Sequence, residues 1–420
     1  MSQDNNRKMK DSGIPWMPSI PDTWEVQRGK NILVLNKRPV RESDEVVTCF
    51  RDGEVILRSE RRTDGFTMSD KEIGYQGINK GDIVIHGMDG FAGSMGVSKS
   101  TGKGSPVLVV CSPKYDAAPQ FIIYYLRTLA MTNVFVALST GIRERSCDLR
   151  WNKIAELQFA LPPAIEQQRI ADFLDCKCAE IDELAALQET MIAELKRYKQ
   201  SVITEAVTKG LDPDVPMKDS GVEWIGEIPE GWEVIKCGRI FKENVRTPQE
   251  GDISLSLSQA DGLIPTSLMR EKAMLTSTYD GWKRVLVNDL VLNRFKAHLG
   301  VLFASKYVGM VSFHYGVYEA LVELTPKYFE YLFHSHQYKL ILAGASNGMV
   351  VGLQNLSNSN FYKVYCLFPP LTEQRAIADY LDQKCAEIDE LIAIKQQKIE
   401  SLKEYKKSVI FEYVTGKKEI

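Results

Sequence analysis

The sequence PPAIEQQRIADFLDCKCAEIDEL, from Pro162 to Leu184, returns as PPLTEQRAIADYLDQKCAEIDEL from Pro369 to Leu391. The two copies are 207 positions apart, and their alignment extends without a gap over 47 positions, of which 29 are identical. Similarity at one fixed separation over this length indicates a duplicated structural unit. The chain is therefore expected to contain the same long element twice.

A second pair of matching segments indicates that the whole chain is duplicated. MKDSGIPWMPSIPDTWEV begins at Met9 and MKDSGVEWIGEIPEGWEV begins at Met217. The stretches that follow have diverged, although KGDIV at 80–84 still aligns with VNDLV at 287–291. We expect an opening segment and variable domain at 1–158, a conserved helical region at 159–210, a second opening segment and variable domain at 211–365, and a second conserved helical region at 366–420.

The variable regions have the pattern of mixed α+β domains. Short apolar runs such as DIVIHG, PVLVVC and DLVLN are separated by glycine-bearing turns, which is typical of strands. Helical patterns follow near residues 120–130 and 327–342. Each variable region has about 140 residues, a usual domain size.

The conserved regions have the pattern of long helices. Apolar residues recur at spacings of three and four, as in Ile170, Leu174, Ile181 and Leu184. About 42 helical residues would give a rod of roughly 60 Å, too long to be covered by one small domain, so the other copy is the expected partner. The order domain, helix, domain, helix lets the second helix return only antiparallel to the first. The sequence thus predicts two pseudo-symmetric α+β domains separated by two long antiparallel, coiled-coil-like helices, with Thr372 as the N-cap of the second.

Composition excludes several functional classes. The chain has 420 residues with 44% hydrophobic content, a formal charge of -3 and a pI near 6.1, which argues against a generally basic nucleic-acid binder. Its cysteines show no CxxC pair or His-rich spacing, so reduced thiols and no metal are expected. No apolar run reaches the roughly 18 residues of a membrane span, and we expect a cytoplasmic protein. Basic runs at 143–153 and 283–306 could still bind DNA locally, or could simply solvate a face.

Two similar but diverged domains at a fixed separation suit a double-stranded DNA site that is read in two pieces. At about 3.4 Å per base pair, a helix of roughly 60 Å spans at most about 18 base pairs. In this hypothesis the domains select the bases and the helices set their separation.

The motifs LPPAIEQQRIADFLD and FPPLTEQRAIADYLD, together with the openings MKDSGIPW and MKDSGVEWIGEIPEGWEV, resemble the specificity subunit of type I restriction-modification systems over about residues 9–415. The resemblance implies two target-recognition domains, each reading half of an asymmetric site. It also implies two docked methyltransferase subunits and added restriction subunits that translocate DNA. S-adenosylmethionine would then belong to the methyltransferase, and ATP with Mg²⁺ to the restriction subunit, with no cofactor in this chain.

An enzyme complete in itself, a DNA methyltransferase or nuclease, is the alternative. Adenine methylation requires a pocket and motif for a flipped base, and no such motif is found in the sequence. GVSKSTGKGS from Gly96 resembles a phosphate loop, but its glycine spacing is one too long and Ser or Thr does not follow Lys103. A non-catalytic subunit is therefore expected. A purely structural scaffold would leave the two variable domains without a role.

Candidate DNA contacts are basic and amide side chains on loops, because Arg forks onto guanine and Asn or Gln onto adenine. For each residue, ordinary surface charge is the competing interpretation. The candidates are Lys99, Lys103, Arg143 and Arg145 in the first domain, and Arg294, Lys296, His298 and Asn347 in the second.

Candidate partner contacts lie in the first turn of each long helix, where the EQ pair is repeated as Glu166-Gln167 and Glu373-Gln374. Two identical partner subunits need the same surface offered twice. Carboxylates at this position also offset the positive end of the helix dipole, which is the simpler interpretation.

Overall fold

The computed structural model describes residues 7–61, 73–137, 149–259, 261–269, 280–347 and 355–420. Its contacts form two compact units. Unit 1 comprises Met1–Gln188 with Gln397–Ile420, and unit 2 comprises Glu189–Gln396. Both boundaries fall within the long helices, so each unit combines one variable domain with a segment of each helix.

Unit 1 has short strands around one amphipathic helix and begins the first long helix, which continues into unit 2. Its elements are β1 (Met9–Ile14), β2 (Met17–Pro21), β3 (Glu25–Arg28), α1 (Gly29–Ile32), β4 (Leu33–Leu35), β5 (Val47–Cys49), β6 (Val55–Leu57), β7 (Gln76–Ile78), β8 (Ile83–His86), β9 (Met95–Val97), β10 (Gly102–Gly104), β11 (Leu108–Pro113), α2 (Pro119–Met131), α3 (Val134–Ala137), α4 (Trp151–Glu156), β12 (Gln158–Leu161) and α5 (Ala164–Lys209), with 3₁₀ turns at Arg58–Glu60 and Gly90–Ala92.

Unit 2 repeats this order and begins the second long helix, which ends in unit 1. Its elements are β13 (Met217–Asp219), β14 (Glu227–Pro229), β15 (Glu233–Lys236), α6 (Cys237–Ile240), β16 (Phe241–Glu243), β17 (Ile253–Ser258), β18 (Gly262–Pro265), β19 (Lys283–Val285), β20 (Leu290–Asn293), β21 (Leu302–Ala304), β22 (Gly309–Val311), β23 (Tyr315–Ala320), α7 (Pro326–His334), α8 (His336–Ala345), α9 (Asn358–Phe361), β24 (Tyr365–Phe368) and α10 (Leu371–Val414), with 3₁₀ segments at Thr266–Leu268 and Arg294–Leu299.

The two variable domains share one strand topology. An antiparallel sheet of order β4-β11-β8-β9 in unit 1 corresponds to β16-β23-β20-β21 in unit 2. The pair β12-β3 corresponds to β15-β24, and β10-β7 corresponds to β19-β22. The central strands β8 and β20 each begin with three buried apolar residues, as expected for strands covered on both faces. The expectation of two related α+β domains is confirmed.

The turn before each central strand is also duplicated. Gly81 and Asn288 both adopt positive φ angles, of 90° and 74°, and each precedes a buried aspartate. Asp82 accepts hydrogen bonds from Arg38, and Asp289 accepts one of 2.6 Å from Arg246. Glycine and asparagine suit this turn because they adopt the left-handed conformation with little strain.

Within each unit the two long helices pack antiparallel. In unit 1, Asp182 of α5 pairs with Lys406 of α10 at 2.6 Å, and the ring of Phe173 lies 4.5 Å from that of Tyr413. In unit 2, Lys199 pairs with Asp389 at 2.6 Å. The second ion pair is the first one shifted by 207 positions, so the contact itself is duplicated. Because α10 begins at Leu371, Thr372 lies inside the helix and the N-cap expectation was wrong.

The last turns of each long helix complete the core of a unit. Val409, Ile410 and Val414 of α10 are buried in the core of unit 1, and their counterparts Val202, Ile203 and Val207 of α5 are buried in that of unit 2. Among the described residues, no helix is both long and apolar enough to cross a membrane.

Candidate nucleic-acid interface

Each unit has a junction where an opening segment meets the first turn of a long helix. The buried indole of Trp24 donates to Glu166 at 3.2 Å, and that of Trp232 donates to Glu373 at 2.9 Å. In unit 1, Arg7 also pairs with Glu166 at 2.5 Å. The glutamates therefore bind their own unit from a position that also complements the helix dipole.

The glutamine next to each glutamate is buried, which corrects part of the expected partner surface. Gln167 is 4% exposed and Gln374 is fully buried. Gln374 accepts from the Thr325 backbone N–H at 2.9 Å and donates to the Pro369 carbonyl at 2.9 Å. Gln167 makes the same two bonds in unit 1. Both ends of each amide are thus used internally, and neither side chain presents a docking surface.

A tyrosine of each variable domain binds the adjoining long helix. The hydroxyl of Tyr124 donates to Asp175 at 2.7 Å, and that of Tyr331 donates to Asp382 at 2.6 Å. Burial and these carboxylates raise the pKa of both phenols far above the ordinary value, so both remain donors at neutral pH. Tyrosine, glutamine and tryptophan contacts together fix each domain on its helix.

In the first domain, the described candidates Lys99 and Lys103 lie near the hairpin formed by β5 and β6. Lys99 is 68% exposed on its side chain and pairs with Glu54 at 3.1 Å. Lys103 lies in β10, where its backbone N–H binds the Glu45 carbonyl. Arg143 and Arg145 lie outside the described residues.

Sequence reasoning missed three arginines in this region. Arg51 lies in the turn of the hairpin with its side chain 69% exposed, and Arg58 and Arg61 follow β6. Arg51 pairs with Asp89 at 3.1 Å, and Arg61 pairs with Asp52 at 2.6 Å. The available signal was the alternation of arginine and acid around the dipeptide Asp52-Gly53, which is typical of a turn, but near-neutral local charge concealed it.

In the second domain, Arg294 is part of a buried polar cluster. Its guanidinium binds Glu243 at 2.5 Å and Asn358 at 2.9 Å, and Lys283 binds the same glutamate at 2.7 Å. Burial alone would raise the pKa of Glu243, but the bonds from Lys283 and Asn358 and the charge of Arg294 outweigh it and lower that pKa. Arg294 is therefore positioned to hold its loop, while a DNA contact by this residue stays a prediction.

The remaining candidates of the second domain lie near this cluster. Lys296 is exposed on the 3₁₀ segment that Asn293 caps through its side chain. His298 is half-buried, and its Nδ1 has no hydrogen-bond partner within the described structure. Asn347 is exposed, and its side chain accepts from Asn360 at 3.2 Å. Arg294 and Asn347 are thus both linked to α9, and Lys296 and His298 lie on the 3₁₀ segment that begins at Arg294.

A cleft of about 580 Å³, lined by four lysines and by the carboxylates of Glu330, Asp382 and Asp389, lies between the second domain and its helices, and sequence reasoning did not identify it. Lys196 and Lys199 of α5 line it together with Lys327 and Lys339 of the domain. Lys199 and Lys327 pair with aspartates, whereas Lys339 has no ion-pair partner among the described residues. Burial and the charge of Lys339 lower the pKa of His334, which also lines the cleft, to about 4.

Across the described ranges, no group of His, Cys, Asp or Glu side chains is placed to hold a metal ion. The described cysteines are all free thiols, and burial raises the pKa of Cys49 and Cys111 to about 12. These thiols are therefore protonated and unreactive at neutral pH.

Comparisons with known proteins agree with this architecture. Residues 229–404 match the model of the type I restriction modification DNA specificity domain. The chain is 24% identical over 426 residues to the type I restriction enzyme MjaVIII specificity subunit of Methanocaldococcus jannaschii, covering 95% of this chain and 93% of that protein.

Two solved structures have a similar fold. One, described as the structural basis underlying complex assembly and conformational transition of the type I R-M system, has a TM-score of 0.69 at 15% identity and covers 94% of this chain and 98% of its own. The other, the HsdS subunit from Thermoanaerobacter tengcongensis, has a TM-score of 0.55 at 15% identity with the same coverage.

The match to a DNA specificity domain, together with the duplicated helices and the two diverged α+β domains, indicates a DNA sequence-recognition protein. The resemblance to type I restriction-modification specificity subunits is confirmed, and residues 229–404 match the model of their DNA specificity domain. The alternative of a self-contained methyltransferase or nuclease has no support among these relatives.

Proposed function

We propose that this chain recognises a bipartite, asymmetric double-stranded DNA site, with one variable domain on each half. The observation that carries the proposal is that the framework contacts recur at matched positions while the exposed parts of the domains differ. Trp24 and Trp232, Gln167 and Gln374, and the ion pairs of the long helices are conserved between the repeats. Duplicated long helices that carry two different variable domains suit a DNA target whose two halves differ in sequence.

The test is to co-express the chain with the neighbouring methyltransferase and to map N6-methyladenine across the genome. We expect a split motif with one methylated adenine in each half. Exchange of residues 211–365 for the variable domain of a relative should change one half only. A continuous motif, or exchange that alters both halves, would contradict the proposal.

We further propose that two methyltransferase subunits dock on the long helices and that restriction subunits join this complex. In unit 1, the helices expose Leu184, Leu187 and Tyr405. In unit 2 they expose the counterparts Leu391, Ile394 and Tyr198, of which Leu391 and Tyr198 line a groove of about 320 Å³. Large apolar side chains exposed at matched positions of both repeats support binding of the same partner twice.

Charge placed in these surfaces tests the docking. Leu184→Glu and Leu391→Glu should each lower methyltransferase binding in pull-downs, and the double variant should abolish it. Val245→Glu, at another exposed apolar residue, is the control. Unchanged assembly of the double variant would place the docking surface elsewhere.

We also propose that catalysis and its cofactors reside on the partners: S-adenosylmethionine on the methyltransferase, and ATP with Mg²⁺ on the restriction subunit. Because its target would be host and invading DNA, the complex would act in the cytoplasm. Titration calorimetry of the isolated chain with S-adenosylmethionine should give no binding heat, whereas the complex should bind it. Binding by the isolated chain would overturn this assignment.

A further inference from the structure

The two variable domains contain one equivalent hairpin each. In unit 1 it is β5–β6 followed by the 3₁₀ turn Arg58–Glu60, and in unit 2 it is β17–β18 followed by Thr266–Leu268. The residue before β5, Val46, forms a parallel bridge to β10, and β17 pairs in parallel with β22, the counterpart of β10. The hairpins therefore occupy the same place in the repeated fold.

The inward faces of the hairpins serve the same purpose in both units. Val47, Cys49 and Val55 are buried in a small apolar cluster of unit 1. Leu255, Leu257 and Leu263 are buried in the corresponding cluster of unit 2. Both hairpins are thus fixed on their domains by burial of apolar side chains.

The outward face of the first hairpin carries guanidinium groups. Arg51 lies in the turn, which is closed by a hydrogen bond of 2.8 Å from Phe50 to the Glu54 carbonyl. Arg61 lies over the Phe50 ring at 4.3 Å, and Arg58 donates to the Thr48 hydroxyl of β5 at 3.2 Å. Exposed ion pairs such as that of Arg51 with Asp89 are weak, so a DNA ligand can displace the carboxylate.

The outward face of the second hairpin carries hydroxyl groups instead. Ser254 and Ser256 both lie 2.9 Å from the Thr266 hydroxyl. Thr266 follows its hairpin where Arg58 follows the first. The exposed Gln259 follows β17 where Arg51 lies in the first turn, and it also lines the cleft of unit 2 that contains Lys196 and Lys339. The same scaffold therefore presents different hydrogen-bonding chemistry in the two units.

We propose that these hairpins are base-reading elements, with Arg51 forking onto guanine in one half-site and Gln259 contacting the other half-site. This inference rests on the proposed function of the chain. A two-stranded ribbon fits the major groove, where arginine matches the two acceptors of guanine and glutamine matches the edge of adenine. The exchange of arginine for glutamine at one place in a repeated fold explains how related domains read unlike sequences.

The test compares Arg51→Ala, Arg51→Lys and Gln259→Ala in the complex with the methyltransferase, by methylation mapping and by binding to duplexes that differ at one base pair. Arg51→Ala should lose about tenfold or more of the discrimination at a guanine in one half-site. Arg51→Lys should keep the affinity for unrelated DNA but lose part of the discrimination between base pairs. An ammonium group cannot donate the two parallel hydrogen bonds that a guanidinium donates to guanine. Gln259→Ala should alter only the other half.

Arg28→Ala is the matched control, because Arg28 is an exposed arginine paired with Glu156 at 2.8 Å outside the hairpin. It should leave both half-sites unchanged. A split motif in the wild type that Arg51→Ala leaves intact would overturn the hairpin inference alone. Equal loss of affinity for specific and unrelated DNA in Arg51→Ala would also overturn it, whereas absence of a split motif in the wild type would overturn the proposed function.

Discussion

At the scale of single residues, identical motifs in the two repeats are explained mainly by internal bonds. Gln167 and Gln374 each join the start of a long helix to the backbone of a variable domain, in contacts that span 49 positions of sequence. Buried polar groups require such partners because an unsatisfied donor or acceptor loses the hydrogen bonds that water would supply. The EQ motif therefore orients each domain, and its repetition does not by itself indicate a partner surface.

Removal of one of these amides should weaken unit 2. Gln374→Ala leaves the Thr325 N–H and the Pro369 carbonyl without their partner and should cost about 1–3 kcal/mol. The loss is measured as a lower urea midpoint for the unfolding of unit 2, with hydrogen exchange as the probe of unfolding. Gln383→Ala, which removes an exposed amide bonded to Glu387, is the control and should have little effect. Equal midpoints for the two variants would show that the hydrogen bonds of the buried Gln374 amide do not stabilise unit 2.

His334 should make unit 2 sensitive to acid. Burial and the neighbouring lysines lower its pKa from 6.5 to about 4, so the unfolded chain binds a proton at a pH where the folded chain does not. Stability is then lost as the pH falls from about 6.5 towards 4, by up to about 3 kcal/mol. Hydrogen exchange as a function of pH measures this, and His334→Phe should flatten the curve. A slope that persists in His334→Phe would contradict this assignment.

At the scale of elements, each long helix ends at a glycine that meets the opening segment of a unit. Gly416 follows α10 with a φ of 69°, and a Cβ there would lie 2.5 Å from the ring of Pro21. Gly210 follows α5 with a φ of 81°, and a Cβ there would lie 2.8 Å from the Glu373 carboxylate. Glycine is needed at both ends because a side chain would be strained and would also collide.

Alanine at these ends should therefore destabilise the protein, and more so at Gly416, where the obstacle is a rigid ring. We expect Gly416→Ala to cost about 1–3 kcal/mol and Gly210→Ala less, because a carboxylate can move away. Thermal unfolding measures both changes. Gly344→Ala in α8, where a Cβ meets no atom within 4 Å, should instead stabilise by up to about 1 kcal/mol. A neutral Gly416→Ala would contradict this role of the helix end.

At the scale of the whole molecule, each unit is assembled from segments far apart in the chain. The core of unit 1 includes Val414, and the core of unit 2 includes its counterpart Val207. A long helix therefore starts as part of one unit and finishes as part of the other. The core of unit 1 is therefore complete only when α10 has packed against it.

Matched substitutions in the two helix ends should destabilise one unit at a time. Val414→Asp places a carboxylate in the core of unit 1 and Val207→Asp places one in that of unit 2, each at a fully buried position. Each should cost several kcal/mol, because a charge cannot be buried without a partner. Hydrogen exchange should report lost protection mainly in unit 1 for the first variant and in unit 2 for the second. The reverse pattern would contradict the assignment of the helix ends.

The sequence alone determined the duplication, the two long helices and the α+β character of the domains, because periodicity and matched motifs are local properties. It also predicted the antiparallel packing that the pairs Asp182–Lys406 and Phe173–Tyr413 confirm within unit 1, since their order along α5 is reversed along α10. Only the tertiary structure decided which polar residues are free to act. Arg294 meets Glu243 across 51 positions and Gln374 is buried, whereas Arg51 is exposed in a turn. Burial and pairing depend on residues distant in sequence, so a local pattern can indicate candidates such as Arg51 but cannot show which side chains are exposed.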